Sequence, residues 1–276
     1  MIISHDLGTT GNKATLVNNE GQVIEAVTAS YGTDFGPRGK AEQNAEDWWQ
    51  ALCAATRTLL EQGKVSAADI DVVSFSGQMM GAVLLDSSGA PIRPVIIWAD
   101  TRSTTQCARL VDSIGMEQGY TITGHRLNPT YSLSKIMWVR DHEPEVFDAA
   151  AVVVQAKDFM VFRLTGRIVT DPSDASSTNA YDQAAGAWSD ELLDAAGFGE
   201  ELFPEIVPSV EVVGAVTPGA AAATGLRAGT PVVLGGVTGP WEPWAPASSV
   251  RNQAHTPISV PLRGCRSPLI SRCTTR

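Results

Sequence analysis

The sequence predicts an α/β domain, a mixed sheet flanked by helices, and three observations predict it. Strand-like apolar runs alternate with helix-like segments along most of the chain, the arrangement that stacks helices on a sheet. The N-terminal run leads into a β-hairpin, with strands at Ala14 to Asn18 and Gln22 to Thr28 around the turn Asn19-Glu20-Gly21. The chain has 276 residues, 43% hydrophobic and 18% charged, enough to bury one large core.

Taken in order, Ile2 to Leu7 reads as an apolar strand carrying one carboxylate, Asp6, directly before Gly8-Thr9-Thr10-Gly11. An ionised Asp6 can hold Mg2+ or its waters, Gly8 and Gly11 remove Cβ atoms from the path of an anion, and Thr9 and Thr10 add hydroxyl donors. That is equipment for a phosphate with its metal, although an Asp beside a Gly-Thr turn is by itself more often an ordinary turn. A Walker loop is excluded, since no G-x-x-x-x-G-K-[ST] string occurs.

Ala45 to Gly63 reads as an amphipathic helix with Asn44 as N-cap, Glu46 and Asp47 in its first turn, and Gly63 as its stop. Trp48 and Trp49 are packing anchors on its apolar side. A buried strand, Ile70 to Ser76, delivers Gly77-Gln78-Met79-Met80-Gly81, polar groups framed by glycines at a strand end, and thus a good pocket floor. A strand at Ala82 to Leu85 follows, and Pro94 to Ile97 delivers Trp98-Ala99-Asp100-Thr101-Arg102. Charged residues just beyond a buried strand are commonly site residues in α/β proteins, and a plain Asp100–Arg102 surface pair is the equal alternative. Helices are expected at Thr104 to Ile114, Ser132 to His142, Lys157 to Leu164 and Thr217 to Gly225, with strands at Val152 to Gln155 and Val232 to Leu234, and a polar loop at Thr170 to Ser176.

Composition excludes several classes. A net charge of -10 argues against a nucleic-acid surface. No apolar run approaches a membrane span, and no basic region with a cleavage site opens the chain, so the cytoplasm is the expected compartment. Cys53, Cys107, Cys265 and Cys273 form no C-x-x-C pair, which leaves reduced structural thiols.

Together these strings resemble the FGGY family of carbohydrate kinases, the xylulose kinases most closely. The resemblance runs from Met1 to about Gly236 and rests on Asp6 to Thr10, Glu42 to Trp49, Gly77-Gln78-Met79, Ile97 to Arg102, Lys135 to Pro144, Lys157-Asp158, Leu164-Thr165-Gly166 and Thr170 to Ser176. It implies an actin-like, ribonuclease-H-like ATPase fold of two domains, of which residues 1–236 would be the sugar-binding first. It implies ATP and Mg2+ as cofactors, with Asp6, Gly8, Thr9 and Thr10 at the metal and phosphates. Gln78, Met79, Met80, Trp98, Asp100 and Arg102 would line the sugar pocket, a pentulose being the favoured substrate. Met80 stands where xylulose kinases typically carry His, and a thioether cannot reproduce the hydrogen bonding of an imidazole. The implied partner is a small sugar, with no nucleic acid and no membrane; homodimerisation is left open.

The family's proton-accepting aspartate should follow the strand ending at Gly235-Gly236, yet the chain reads Val237-Thr238-Gly239-Pro240-Trp241, with no aspartate after Asp194. Composition changes there too: Gly239 to Arg276 holds five Arg, no Lys, six Pro and the single acid Glu242, whereas the preceding residues hold 29 acids and 15 bases. Each codon's third base joined to the next codon's first two permits Gly239 to Ala247 to be re-read as Ala-Val-Gly-Ala-Met-Gly-Ala-Gly. The same shift permits Ile258 to Arg266 to be re-read as Ile-Gly-Thr-Ser-Ser-Trp-Val-Ser, and both strings resemble the start of a second FGGY domain. The expectation is a reading frame that slips near Thr238, leaving 237–276 as an aberrant, disordered tail and a chain without useful kinase turnover. The alternative is a non-catalytic sugar-binding or regulatory remnant. An actin- or chaperone-type ATPase is disfavoured by the Gly77 to Met79 and Trp98 to Arg102 strings, and a dehydrogenase by the lack of G-x-G-x-x-G.

Overall fold

In this computed structural model the described residues are 1–237, and 238–276, where most of the expected tail falls, lie outside them. The main sheet contains β1 (Ile2–Leu7), β2 (Gly11–Val17), β3 (Val23–Ser30), β4 (Val72–Gly77), β5 (Val212–Ala215) and β6 (Pro231–Val237), in the order β5-β6-β4-β1-β2-β3. The central three, β6, β4 and β1, run parallel, while β2, β3 and β5 are antiparallel to their neighbours. The sheet is therefore mixed, as expected. Its parallel centre brings Leu7, Gly77 and Val237 to one edge, the place where α/β sheets collect ligands.

Principal helices are α1 (Ala45–Gly63), α2 (Ser132–His142), α3 (Ala156–Thr165), α4 (Pro172–Ser176) and α5 (Pro218–Thr224). Strand periodicity puts Ile3, His5 and Leu7, Ala14 and Leu16, Val73 and Phe75, and Val232 and Leu234 on one buried face, where α1, α3 and α5 cover them. The alternate residues Ser4, Asp6, Ser74 and Ser76 are only half-buried. A second core joins the helices Thr104–Ile114, α2 and Asp190–Ala196 to the strand pair Val83–Leu85 and Val152–Val154.

Local signals account for α1. Asn44 accepts from the Glu46 amide at 3.0 Å, Glu46 and Asp47 face the positive helix end, and Trp48, Leu52, Ala55 and Leu59 form its buried stripe. The expected stop at Gly63 is corrected: Lys64 takes the left-handed conformation, φ 52°, and caps the Leu60 and Glu61 carbonyls. Gly63 serves packing instead, since a Cβ there would stand 2.9 Å from Leu16 Cδ2.

The expected polar loop at Thr170 to Ser176 is also corrected. Val169–Thr170 pairs with Glu205–Ile206, and α4 follows, with Asp171 accepting from the Ser173 and Asp174 amides and Pro172 in the first turn. Helices Met116–Thr123 and Pro144–Ala149 were not expected. Cys53 and Cys107 are buried free thiols. No helix among the described residues is long and apolar enough to cross a membrane.

One glycine is required by geometry. Gly235 has φ +75°, and a Cβ there would stand 1.8 Å from the Phe75 carbonyl oxygen. It forms the irregularity between Val233 and Gly236 that sets Gly236 opposite Ser76 near the carboxyl end of β4.

Candidate functional site

Asp6, Ser76 and Gly236 lie in one register row across β1, β4 and β6. Ser76 Oγ donates to Asp6 Oδ1 at 3.2 Å. Tyr31 closes the following turn by donating its hydroxyl to the Gly8 carbonyl at 2.5 Å, and burial with the Asp6 charge pushes its phenol pKa upward. Thr9 is half-buried and Thr10 exposed.

The glycines of this turn serve another purpose than the one expected. The Gly8 amide is spent on the Gly11 carbonyl at 3.0 Å, and a Cβ on Gly11 would stand 2.8 Å from the Ala29 carbonyl oxygen. Gly11 is small because β3 lies against it. For a metal, Asp6 offers one carboxylate, and no group of three His, Cys, Asp or Glu side chains converges on a metal position among the described residues. That donor set fits Mg2+ carried on a nucleotide, an ion that keeps waters and takes most remaining ligands from phosphate, and does not fit a dedicated protein cage.

Gln43 is the hub that sequence reasoning missed. Its Nε2 donates to the Thr9 carbonyl at 2.6 Å and Thr33 Oγ1 at 2.7 Å, while its Oε1 accepts from Trp48 Nε1 at 3.0 Å and Gln78 Nε2 at 2.9 Å. The Trp48 indole can only donate, which fixes the orientation of the amide. Gln78 donates its backbone N–H to the Leu7 carbonyl at 2.7 Å, so the Gly77 to Gly81 turn is stitched to the strand that carries Asp6. The Gln78 side-chain oxygen is buried and has no donor among the described residues.

Met79 and Met80 are half-buried. Met80 holds the left-handed conformation at φ 63°, donates its N–H to Ser177 Oγ at 3.2 Å, and has its thioether 4.0 Å from Thr130 Oγ1. Trp98 is 43% exposed, and its Nε1 donates to Thr9 Oγ1 at 2.9 Å, joining the loop after Ile97 to the Gly8 to Thr10 turn.

Asp100, buried, pairs with the half-buried Arg102, correcting the surface-pair alternative. Asp100 is fully buried, and its oxygens accept from the Ala41 amide at 2.7 Å, the Arg102 amide at 3.0 Å and the Arg102 guanidinium. Arg102 also reaches Glu42 at 3.0 Å and lies 4.8 Å over the Trp138 ring, while Arg93 joins Glu42 to Glu143. These contacts lock the turn after Trp98 onto the strand Ala41–Gln43.

Another network fastens the end of β6. Lys157, fully buried, is 2.7 Å from Asp158 and 3.2 Å from Asp171 and Asp174. Asp171 accepts from the Ser173 and Ser209 hydroxyls at 2.6 Å, and Ser173 Oγ accepts from the Val237 amide at 3.1 Å. The strings Lys157-Asp158 and Thr170 to Ser176 were legible as resemblance; this role was not.

A family model, the N-terminal domain of the FGGY family of carbohydrate kinases, matches residues 1–239. The xylulose kinase of Bacillus subtilis (strain 168) is 39% identical over 235 residues, covering 85% of this chain and 47% of its own length. That of Escherichia coli (strain K12) is 37% identical over 236 residues, covering 86% and 48%. The crystal structure of xylulose kinase from Rhodospirillum rubrum superposes with a TM-score of 0.81 at 31% identity, covering 85% of this chain and 48% of that one. The chain spans about half the length of the curated relatives it matches.

Proposed function

The chain belongs to the FGGY family of carbohydrate kinases, and from that premise we propose that it is the sugar-binding lobe of an ATP-dependent kinase acting on a pentulose hydroxyl. The observation that carries the reading is the placement of a carboxylate, Asp6, and a buried acceptor without a donor among the described residues, Gln78 Oε1, on adjacent strand ends joined by the Gln78 N–H to Leu7 carbonyl bond. A sugar hydroxyl supplies the donor that Gln78 lacks. Met79, Met80 and Trp98 form the surrounding wall, and Asp100 and Arg102 hold that wall in place.

ATP with Mg2+ supplies the transferable phosphoryl group and neutralises its charge. Asp6 would hold the metal or its waters, and Thr10 stands exposed beside it as a hydroxyl donor. The Gly8 to Thr10 turn is positioned through Tyr31, Gln43 and Trp98 rather than by its glycines.

The chain as written carries no aspartate after Gly236 to accept the hydroxyl proton, Glu242 being the only acidic residue there. We attribute this to a shifted reading frame. The shift that turns 239–247 and 258–266 into family-like strings also turns the Val237–Thr238 boundary into Asp whenever the Val237 codon ends in G, directly after the strand end that Ser173 fastens. Residues 1–236 would then be a folded first domain and 237–276 an out-of-frame tail.

Sequencing the source locus from codon 230 to well beyond 276 tests the frame, and assaying both products with D-xylulose and ATP tests the chemistry. The expected result is no turnover from the 276-residue chain and turnover from the frame-restored one. Robust phosphorylation by the 276-residue chain would overturn the inactive reading. An unbroken frame would leave a sugar-binding remnant as the better account.

A further inference from the structure

We propose that Lys135 is a positioning residue for the sugar pocket, its buried ammonium tying together three loops that carry or touch the pocket wall. The inference rests on the reading of Met80 and Trp98 as pocket residues. Lys135 lies in the first turn of α2 and is fully buried. Its Nζ donates to the carbonyls of Thr130 at 2.5 Å, Met80 at 2.6 Å and Ile97 at 2.8 Å. An ammonium has three N–H donors, and all three are used, each on a different chain segment.

The segments are those that matter to the pocket. Met80 ends the Gly-Gln-Met-Met turn, Ile97 immediately precedes Trp98, and Thr130 Oγ1 reaches the Met80 thioether. Among the described residues no carboxylate is within ion-pair distance of Lys135, so the charge is solvated directly by three carbonyl dipoles, with the Asp100 carboxylate attracting it from farther away. Burying an ammonium without a directly paired counter-ion is expensive, and an apolar side chain would fill the space at less cost. What an apolar residue cannot do is give donors to three carbonyls at once.

Met80 shows why such a clamp is needed. A non-glycine residue at φ 63° persists where its surroundings over-determine it. Here the Met80 N–H is held by Ser177 and its carbonyl by Lys135, so the peptide on either side of the residue is fixed. Through the same ammonium, any shift of the Met80 turn must be shared by the Ile97–Trp98 strand end and the Thr130 loop.

The test uses the 276-residue chain and its Lys135→Met variant, measured well below each Tm. Amide hydrogen exchange is followed over 78–81, 96–99 and 128–131, with 11–30 and 45–63 as remote references, and D-xylulose affinity is measured by ligand-observed NMR. The expected result is about tenfold faster exchange at all three segments together, unchanged exchange at the references, and D-xylulose affinity lower by about tenfold. A residue that only stabilises would leave the affinity of the folded protein untouched. If Lys135→Met does not fold, Lys135→Gln, which returns two N–H groups without the charge, gives the same readouts. A folded variant that keeps wild-type exchange at these segments, or keeps D-xylulose affinity within about twofold of the wild type, overturns the proposal. Should the wild-type chain bind no D-xylulose, the sugar reading fails by itself, and exchange at the three segments then decides for or against Lys135.

Discussion

The side-chain amide of Gln78 donates to Gln43 Oε1 at 2.9 Å, and this bond leaves the Gln78 side-chain oxygen buried with no donor among the described residues. An unmet buried acceptor costs on the order of 1–3 kcal/mol until a donor reaches it. In Gln78→Leu that cost disappears, and Gln43 Oε1 keeps Trp48. We expect thermal stability within about 1 kcal/mol of the parent and D-xylulose affinity lower by about tenfold or more, measured by calorimetry. Unchanged affinity would remove Gln78 from the pocket.

Met80→His is expected to improve D-xylulose binding. The position has left-handed backbone, which histidine adopts more readily than most residues, so the replacement adds no backbone strain. An imidazole contributes a donor or acceptor that the thioether lacks, and we expect a gain of about 1 kcal/mol, or roughly fivefold in affinity. Binding isotherms of both proteins at equal pH check this.

Stability should fall with acid because of His5. It is fully buried on β1, stacked on Phe75 at 5.4 Å and hydrogen-bonded to Asn12 at 3.1 Å, and burial lowers its pKa to about 4 against the Asn12 bond that raises it. Unfolded His5 titrates near 6.5, so between these values the unfolded chain binds the extra proton. Stability from neutral His5 is therefore complete above about 6.5 and lost as pH falls towards 4, by about 3 kcal/mol in all. Urea melts across that window should show the slope, and His5→Gln should flatten it.

Lys157→Met should be severely destabilising, whereas Asp174→Asn should be tolerated. Removing the lysine strands Asp158, Asp171 and Asp174 in the interior, a loss on the order of 3–5 kcal/mol. Asp174 is held well above the ordinary carboxylate pKa by burial, against the opposing pull of Lys157 and with neighbouring Asp158 and Asp171 adding to the shift, and among the described residues no donor besides that ammonium, 3.2 Å away, serves its oxygens. A neutral amide of the same shape should therefore lose little or gain. Denaturant midpoints of the two variants compare them directly, and equal losses would contradict the asymmetry.

The sequence alone determined what depends on near neighbours. Asn44, Glu46 and Asp47 announced the start of α1 because a helix end is satisfied by residues within one turn. Asp171-Pro172 carries an equally local helix start, an N-cap acceptor followed by proline, although the polar composition of Thr170 to Ser176 suggests a loop. Family membership was legible because short strings in a fixed order survive translation into sequence without any geometry.

Only the tertiary structure decided which side chains act together. Gln43 meets Thr9, Thr33, Trp48 and Gln78, and Lys135 meets Met80, Ile97 and Thr130, partners brought together by strand order and helix packing. Asp100 looked like a site residue or a surface pair until folding buried both its oxygens against Ala41 and Arg102. The physical reason is that a hydrogen bond depends on distance and direction in space, and the parallel sheet alone sets Asp6, Ser76 and Gly236, far apart in the chain, in one row.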